Sequence, residues 1–259
     1  MQPILIRIGP VVVHSYAALI DLGLLLGALL TLREAQRREI ELRSVIDAAV
    51  AAGLGGLVLA RAAYAGVHWT YYGNHVHAAI RIWEGGLLWH GALVGGAVGV
   101  TVIAITRKLP LGRLFDALTP AAASLAVFAW LACLMVGCAY GVETYPGQGL
   151  LWHVSLDLPD IYGTREPRVA VQLLGAGWSA AVCCSLLMVR SRWRARGALF
   201  ALWLTLISLG SYGLGFLRAD QMATLADWRV DQLLSLFLCL TGLVLLLTAA
   251  ISTRRDTEP

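Results

Sequence analysis

The chain has 259 residues, of which 58% are hydrophobic and 14% are charged, and its mean hydropathy is +0.71. Soluble domains contain roughly 45–50% apolar and about 25% charged residues, so this composition excludes a water-soluble globular protein. The formal net charge is +4. The distribution of the cations along the chain, described below, explains this charge without a nucleic-acid partner.

Seven stretches of the sequence are long and apolar enough to cross a bilayer, which takes about 20 residues in a helix. They lie near 11–32, 44–67, 86–106, 115–136, 169–189, 198–217 and 232–251. Lipid offers no partner to backbone N–H and C=O groups, so spans of this kind are helical. We therefore expect an all-α integral membrane protein of about seven transmembrane helices, forming one membrane domain over residues 1–259. The first span is too long for a removable signal peptide, and no small-residue cleavage pattern closes it.

The cations predict the orientation of these spans, because cytoplasmic loops are enriched in Lys and Arg. Thirteen of the 20 cations lie in the first, third and fifth loops and the C-terminal tail: Arg33, Arg37, Arg38, Arg43, Arg107, Lys108, Arg113, Arg190, Arg192, Arg194, Arg196, Arg254 and Arg255. We expect the N-terminus outside the cytoplasm and the C-terminus inside. The longer outer segments, near 68–85 and 137–168, then collect most of the polar residues that could serve a function.

The five cysteines lie within or at the ends of apolar spans, and none has metal-ligand spacing with His or Cys. They are Cys133, Cys138, Cys183, Cys184 and Cys239. Buried cysteine usually behaves as a small hydrophobic residue, and we expect this of at least four of them. We expect neither a metal nor a cofactor.

Ionisable residues inside a span are costly and often mark function. Arg61 is either an anchor whose guanidinium reaches the interface or an anion ligand. His90, among glycines, suits either a structural hydrogen bond or proton transfer. Arg218 suits an interfacial anchor or bidentate phosphate recognition. Together with Glu143, these residues predict a lipid or anion site in the outer half of the bundle.

We expect different roles for the two aspartates that lie in predicted spans. Asp21 lies well inside the first span, where it would pair with Arg61 or bond a neighbouring helix; the sequence leaves this open. Asp116 begins the fourth span, where an acidic group suits a helix N-terminus, and we expect a structural role for it.

The ordered motifs of the chain resemble those of bacterial prolipoprotein diacylglyceryl transferases over nearly the whole length. The matching segments are IGPVVVHSYAALIDLG with Tyr16, LARAAY with Arg61 and Tyr64, IWEGGLLWHGALVGG with His90, FDALTP, VAVQLLG with Gln172, GFLRAD with Arg218 and VDQLLSL with Gln232. Single motifs are weak, whereas their order, spacing and agreement with seven spans make the resemblance specific.

The resemblance implies a function in the bacterial cytoplasmic (inner) membrane. The family moves the diacylglyceryl group of phosphatidylglycerol to the lipobox cysteine thiol of an exported prolipoprotein, so membrane lipid and a prolipoprotein signal peptide are the implied partners. A thiolate is the competent nucleophile, which makes a base such as His90 useful, and arginines stabilise the departing phosphate. The resemblance assigns His90, Arg218 and Glu143 to catalysis. It assigns phospholipid binding to Arg61, Tyr16, Tyr64, Gly137, Gln172 and Gln232.

One segment departs from the family pattern. The signature G-R-x-G-N-F-x-N-G-E is matched here by LMVGCAYGVE, so Met135 stands at the arginine and Cys138 and Gly141 stand at the asparagines, while Gly137 and Glu143 remain. Three alternatives follow: an enzyme whose other arginines hold the phosphate, a relative with another lipid donor or acceptor, or a non-catalytic paralogue that binds lipid or a membrane partner. Asp21 would also suit a small transporter, but the two similar halves common in transporters are absent.

Overall fold

The computed structural model describes residues 4–9, 11–160, 162–191 and 196–255, so Arg192 and Arg194 of the fifth loop lie outside the described residues. The helices are α1 (Ser15–Arg37), α2 (Leu42–Val67), α3 (Trp69–Tyr72), α4 (Val76–Ile80), α5 (Trp89–Thr106), α6 (Leu111–Val136), α7 (Leu150–His153), α8 (Val171–Val189), α9 (Ala198–Gly215) and α10 (Val230–Arg255). Seven of these helices are long and apolar enough to cross a membrane: α1, α2, α5, α6, α8, α9 and α10. The expectation of an all-α bundle with seven spans is confirmed.

The described residues also form three short antiparallel hairpins, which the sequence did not predict; the first precedes α1 and the other two lie between helices. They pair β1 (Ile4–Ile8) with β2 (Val11–His14), β3 (Ser155–Pro159) with β4 (Arg165–Val169), and β5 (Thr224–Leu225) with β6 (Trp228–Arg229). The first hairpin takes residues 11–14 out of the first span that we expected. β-branched residues such as those of this segment favour strands, and hydropathy alone does not separate a short apolar strand from the start of a helix.

The bundle has two ends of different character. We call the end formed by the hairpins and by residues 68–88, 137–160, 162–170 and 216–229 the hairpin end. We call the end formed by residues 38–41, 107–110, 190–191 and 196–197 the arginine end. The connections at the arginine end are short, whereas those at the hairpin end carry nearly all of the candidate site.

Glycines bring α2 and α5 into backbone contact. A methyl group added at Gly95 would overlap the carbonyl of Gly55, and one at Gly91 would lie 2.5 Å from the carbonyl oxygen of Leu59. Helices in membranes associate through small residues that permit this approach. The amide of Leu88 also donates to the carbonyl of Ala60 at 3.1 Å, so the start of α5, which carries the candidate histidine, is fixed against α2.

Asp116 joins several helices at the arginine end, as its expected structural role requires. It is fully buried, accepts from the amides of Gly197 (2.9 Å) and Phe200 (3.0 Å) at the start of α9, and pairs with Arg38 at 3.0 Å. Arg38 also contacts Glu34 of α1 at 2.8 Å. A buried carboxylate needs such partners to offset its lost hydration, so this network fixes α1, α6 and α9 to one another.

The expectation that at least four cysteines are simple hydrophobic residues is wrong. Cys133 and Cys138 form a disulfide, with 4.9 Å between their Cα atoms. α6 ends at Gly137 in a left-handed conformation (φ 79°), a turn that glycine adopts without steric cost. This turn folds the chain back, so that the amides of Gly137 and Cys138 both donate to the Cys133 carbonyl. The remaining cysteines, Cys183, Cys184 and Cys239, are free.

Candidate functional site

His90 lies in the first turn of α5 and is 3% exposed. Its Nε2 is 2.9 Å from the hydroxyl oxygen of Ser235 on α10, while its Nδ1 is buried without a hydrogen-bond partner among the described residues. The ring of Trp89 packs beside the imidazole, with 4.0 Å between the ring centroids. The protein therefore engages one nitrogen of the histidine and leaves the other without a partner in the described part of the chain.

Arg218 belongs to a cluster of two arginines and two aspartates between α9 and α10. Its guanidinium lies 2.5 Å from Asp220 and 3.2 Å from Asp231. Arg229 contacts the same carboxylates at 3.3 and 3.2 Å. Burial raises the pKa of Asp220, but hydrogen bonds and the charges of Arg218 and Arg229 outweigh it, so its pKa is lowered below 3.8. Each aspartate thus has two cationic partners.

Hydrogen bonds of Ser235 in α10 connect the arginine cluster to His90. The hydroxyl of Ser235 donates to the backbone carbonyl of Asp231 at 2.7 Å, and the same hydroxyl contacts His90. Residues 90, 218, 231 and 235 therefore form one connected polar group at the hairpin end, although they come from three separate segments.

The segment that follows α6 pairs with backbone on both of its sides. On one side, Val142 donates to Leu217 and Ala219 donates to Tyr140, each at 2.9 Å. This pairing sets Gly141 opposite Arg218. A methyl group at Gly141 would overlap the carbonyl of the opposite neighbour, Val169, so close packing on that side explains the glycine.

On the other side, the segment sets Glu143 opposite Arg168, which is 4% exposed. Nη2 of Arg168 lies 2.7 Å from Glu143 and 3.6 Å from Asp160, and the guanidinium lies over the ring of Tyr140. Nε of Arg168 is buried without a hydrogen-bond partner among the described residues. Burial, then the charges of Asp160 and Asp220, raise the pKa of the Tyr140 hydroxyl.

Sequence reasoning did not single out Arg168 as a site residue. Its signal in the sequence is an arginine directly before the apolar run that becomes α8. The segment from Leu114 to Thr164 contains neither Lys nor Arg. Arg168 therefore supplies the positive charge beside Glu143 that this segment itself does not contain. Arg229, Asp231 and Ser235 were missed as well, because their importance rests on contacts between segments.

Arg61 holds the connection between α4 and α5 through backbone carbonyls. It donates to Ala78 (2.6 Å), Ala79 (2.8 Å), Gly85 and Gly86 (3.1 Å). These contacts leave one of its five N–H groups, so most of its donors are engaged by protein. In this structure Arg61 therefore shapes the loop that leads to His90.

Tyr64 packs against the same loop. A methyl group at Gly86 would lie 2.5 Å from the ring of Tyr64. Tyr64 and Arg61 lie three residues apart on one face of α2, so they act on the loop together.

The other expected site residues lie in different surroundings. Gln172 is fully buried and its amide donates to the carbonyl of Cys138 at 2.8 Å. Gln232 is 5% exposed, and its amide nitrogen has no partner among the described residues. Gly137 forms the turn at the end of α6. Tyr16 and Asp21 are exposed on α1, so the structure does not bring them into the polar group around His90.

The sequence is similar to proteins of one family. The family model described as prolipoprotein diacylglyceryl transferase matches residues 3–248. A phosphatidylglycerol–prolipoprotein diacylglyceryl transferase of Bacillus licheniformis is 30% identical, covering 95% of this chain and 92% of its own length. Proteins of the same description from Synechococcus elongatus (30% identical; 90% and 82% covered) and Clostridium perfringens (designated 2; 23% identical; 99% and 99% covered) are also similar.

Proposed function

Because the chain belongs to the prolipoprotein diacylglyceryl transferase family, we propose that it moves a diacylglyceryl group from phosphatidylglycerol to the lipobox cysteine thiol of an exported prolipoprotein. The observation that carries the proposal is the buried His90. Its Nδ1 has no partner among the described residues, and its Nε2 is linked through Ser235 to Asp231, which pairs with Arg218. A base next to cations is what a thiol nucleophile and a departing phosphate require.

In the proposed reaction His90 takes the thiol proton, and the thiolate attacks the diacylglyceryl carbon that carries the phosphate oxygen. A carbon–sulfur bond forms while the carbon–oxygen bond breaks, and its electron pair goes to the phosphate. Glycerol phosphate leaves, and the proton held by the imidazole passes to it. No redox partner and no metal is needed for this balance.

Arg218 is the proposed contact for the departing phosphate. The ion pairs of the cluster support this role, since Asp220 and Asp231 each contact Arg229 as well as Arg218. Arg218 can therefore turn to a phosphate without leaving a partly buried carboxylate unpaired, which would be costly. Arg229 remains paired with both aspartates in that state.

We assign Glu143 to the glycerol headgroup of the lipid. Its side chain is 45% exposed, and Arg168 holds one oxygen. The other oxygen accepts only a long contact of 3.5 Å from the Tyr145 hydroxyl, so it can also accept a hydrogen bond from a headgroup hydroxyl. Gln232 is a proposed substrate donor through its amide nitrogen, which has no partner within the described ranges. Gln172 and Gly137 fix the turn before Glu143. Arg61 and Tyr64 fix the loop before His90. Tyr16 lies where α1 meets the lipid headgroups.

We place the protein in the bacterial inner membrane with the hairpin end outside and the arginine end in the cytoplasm. The segregation of Lys and Arg supports this orientation. The disulfide between Cys133 and Cys138 at the hairpin end supports it independently, because disulfides persist on the oxidising side of the membrane.

Purified protein, phosphatidylglycerol and a lipobox peptide test the function. We expect a thioether-linked diacylglyceryl peptide by mass spectrometry and no product when the peptide cysteine is serine. Failure with every common glycerophospholipid would favour the second candidate, a non-catalytic paralogue.

The absence of cations between Leu114 and Thr164 is the observation that favours this second candidate. The double variant Met135→Arg, Cys138→Asn tests it against Cys138→Asn alone, which shares the loss of the disulfide. A large gain of activity in the double variant, but not in Cys138→Asn alone, would show that the site has lost residues needed for catalysis.

A further inference from the structure

The hydroxyl of Ser235 has a single proton and two polar neighbours. One neighbour is the backbone carbonyl of Asp231, 2.7 Å away, which can only accept. The other neighbour is Nε2 of His90, 2.9 Å away. The proton of Ser235 can satisfy only one of them, so the choice fixes where the proton of the neutral imidazole resides.

Two arrangements are possible, and they differ in the number of hydrogen bonds. If Ser235 donates to Asp231, then Nε2 of His90 must carry a proton and donate to Ser235, and both short contacts are hydrogen bonds. If Ser235 donates to Nε2 instead, its contact with Asp231 has no proton, and Nδ1 becomes a buried N–H without an acceptor. Buried donors are rarely left unpaired, so the first arrangement is favoured.

We propose that Ser235 is a positioning residue that holds His90 in the tautomer protonated at Nε2, which makes Nδ1 the atom that accepts the substrate proton. This inference rests on the proposed function for its catalytic meaning. Ser235 acts through His90 and does not itself react.

The surroundings of Ser235 keep this arrangement rigid. Donation from a serine to the carbonyl four residues earlier is a common geometry in helices. The carboxylate of Asp231 is fixed by Arg218 and Arg229 and accepts from the amide of Gln232 at 3.0 Å. The start of α10 is therefore anchored, and with it the carbonyl that takes the serine proton.

Two buried atoms near the ends of α5 and α10 suit a substrate group that carries a proton or lone pairs. Nδ1 of His90 is an acceptor without a partner, and the amide nitrogen of Gln232, one helical turn before Ser235, is a donor without a partner among the described residues. A thiol has both a proton and lone pairs. The ligand class is therefore an S–H or O–H nucleophile directed at Nδ1.

The tautomer can be measured without turnover. Protein with nitrogen-15 histidine in detergent or nanodiscs gives separate signals for protonated and unprotonated ring nitrogens, and the difference from His90→Gln assigns His90 among the six histidines. We expect a protonated Nε2 and an unprotonated Nδ1 in the unaltered chain. In Ser235→Ala both tautomers of His90 should be populated, whereas Ser235→Thr should keep the tautomer protonated at Nε2. A proton on Nδ1 in the unaltered chain overturns the proposal.

Activity provides a second readout with a matched control. Ser235→Ala should lower kcat roughly 10-fold, a part of the 10²–10⁴ that a general base supplies, with an unchanged KM for phosphatidylglycerol. Ser235→Thr should restore kcat. Ser208→Ala, at a buried serine of α9 whose hydroxyl has no hydrogen-bond partner in the described part of the chain, should leave kcat unchanged. Equal losses in Ser235→Ala and Ser208→Ala contradict a specific role. If the unaltered chain forms no product, the proposed function fails, and the histidine spectrum still decides the tautomer.

Discussion

The guanidinium of Arg168 lies 2.7 Å from the carboxylate of Glu143, and the backbones of these residues pair side by side. The arginine is almost fully buried and the glutamate is half exposed. Arg168 is therefore packed in the protein interior, while Glu143 faces the surface of the hairpin end. Arg168 and Arg218 lie on opposite sides of the segment Tyr140–Thr144.

Replacing Arg168 with glutamine should destabilise the protein and weaken the site. Glu143 and Asp160 would lose their common partner, and a hydrogen bond to a charged group contributes about 2 kcal/mol. We expect a lower apparent Tm, measured by intrinsic fluorescence in detergent, together with a raised KM for phosphatidylglycerol. Arg165→Gln is the control, since that side chain is 57% exposed and 3.9 Å from Asp157 and should change little. Equal effects at 165 and 168 would refute the role of the buried pair.

Substitutions of His90 and Arg218 should act on the rate. His90→Gln removes the proposed base and should lower kcat by at least about 10²-fold. Arg218→Gln removes a contact to the departing phosphate and should cost about 10²–10³-fold. Arg113→Gln, an exposed arginine at the arginine end, should retain full activity. Initial rates of lipidated peptide check this, and a near-normal rate for either site variant would refute the assigned role.

The lowered pKa of Asp220 predicts an acid-sensitive contribution to stability. The folded pKa lies below the ordinary value of 3.8, so this contribution is fully present above about pH 4 and is lost as the pH falls through the folded pKa. Asp220→Asn should therefore be less stable than the unaltered chain at pH 7, and the difference should shrink below about pH 4. Unfolding curves at pH 7, 5, 4 and 3 check the trend, and a difference that grows towards acid would contradict it.

Gly95→Ala should impair folding through the contact of α2 with α5. The added methyl group would overlap the carbonyl of Gly55, and backbone cannot move aside as a flexible side chain can. We expect a loss of about 1–3 kcal/mol or a reduced yield of monodisperse protein. Gly96→Ala is the matched control, because its nearest neighbour, the carbonyl oxygen of Ala52, is 3.5 Å away. Indistinguishable yields and apparent Tm values for the two variants would show that this approach is not tight.

The membrane spans could be predicted because a bilayer imposes a local rule: each crossing needs about 20 apolar residues in a row. The ends of the spans were predicted less accurately. α6 begins at Leu111 rather than near 115, and residues 11–14 form a strand. Short apolar strands and helix starts share the same hydropathy, so pairing with β1 decided the difference.

By itself the sequence determined the seven spans and singled out His90 and Arg218, since apolar runs, glycines and an arginine at a span end are local features. Only the tertiary structure decided what these groups touch. It engages Arg61 with carbonyls, joins Cys133 to Cys138, pairs Arg168 with Glu143 and connects His90 to Ser235, 145 positions away. The physical reason is that hydropathy fixes which segments enter the membrane, whereas hydrogen bonds and ion pairs depend on how distant segments pack.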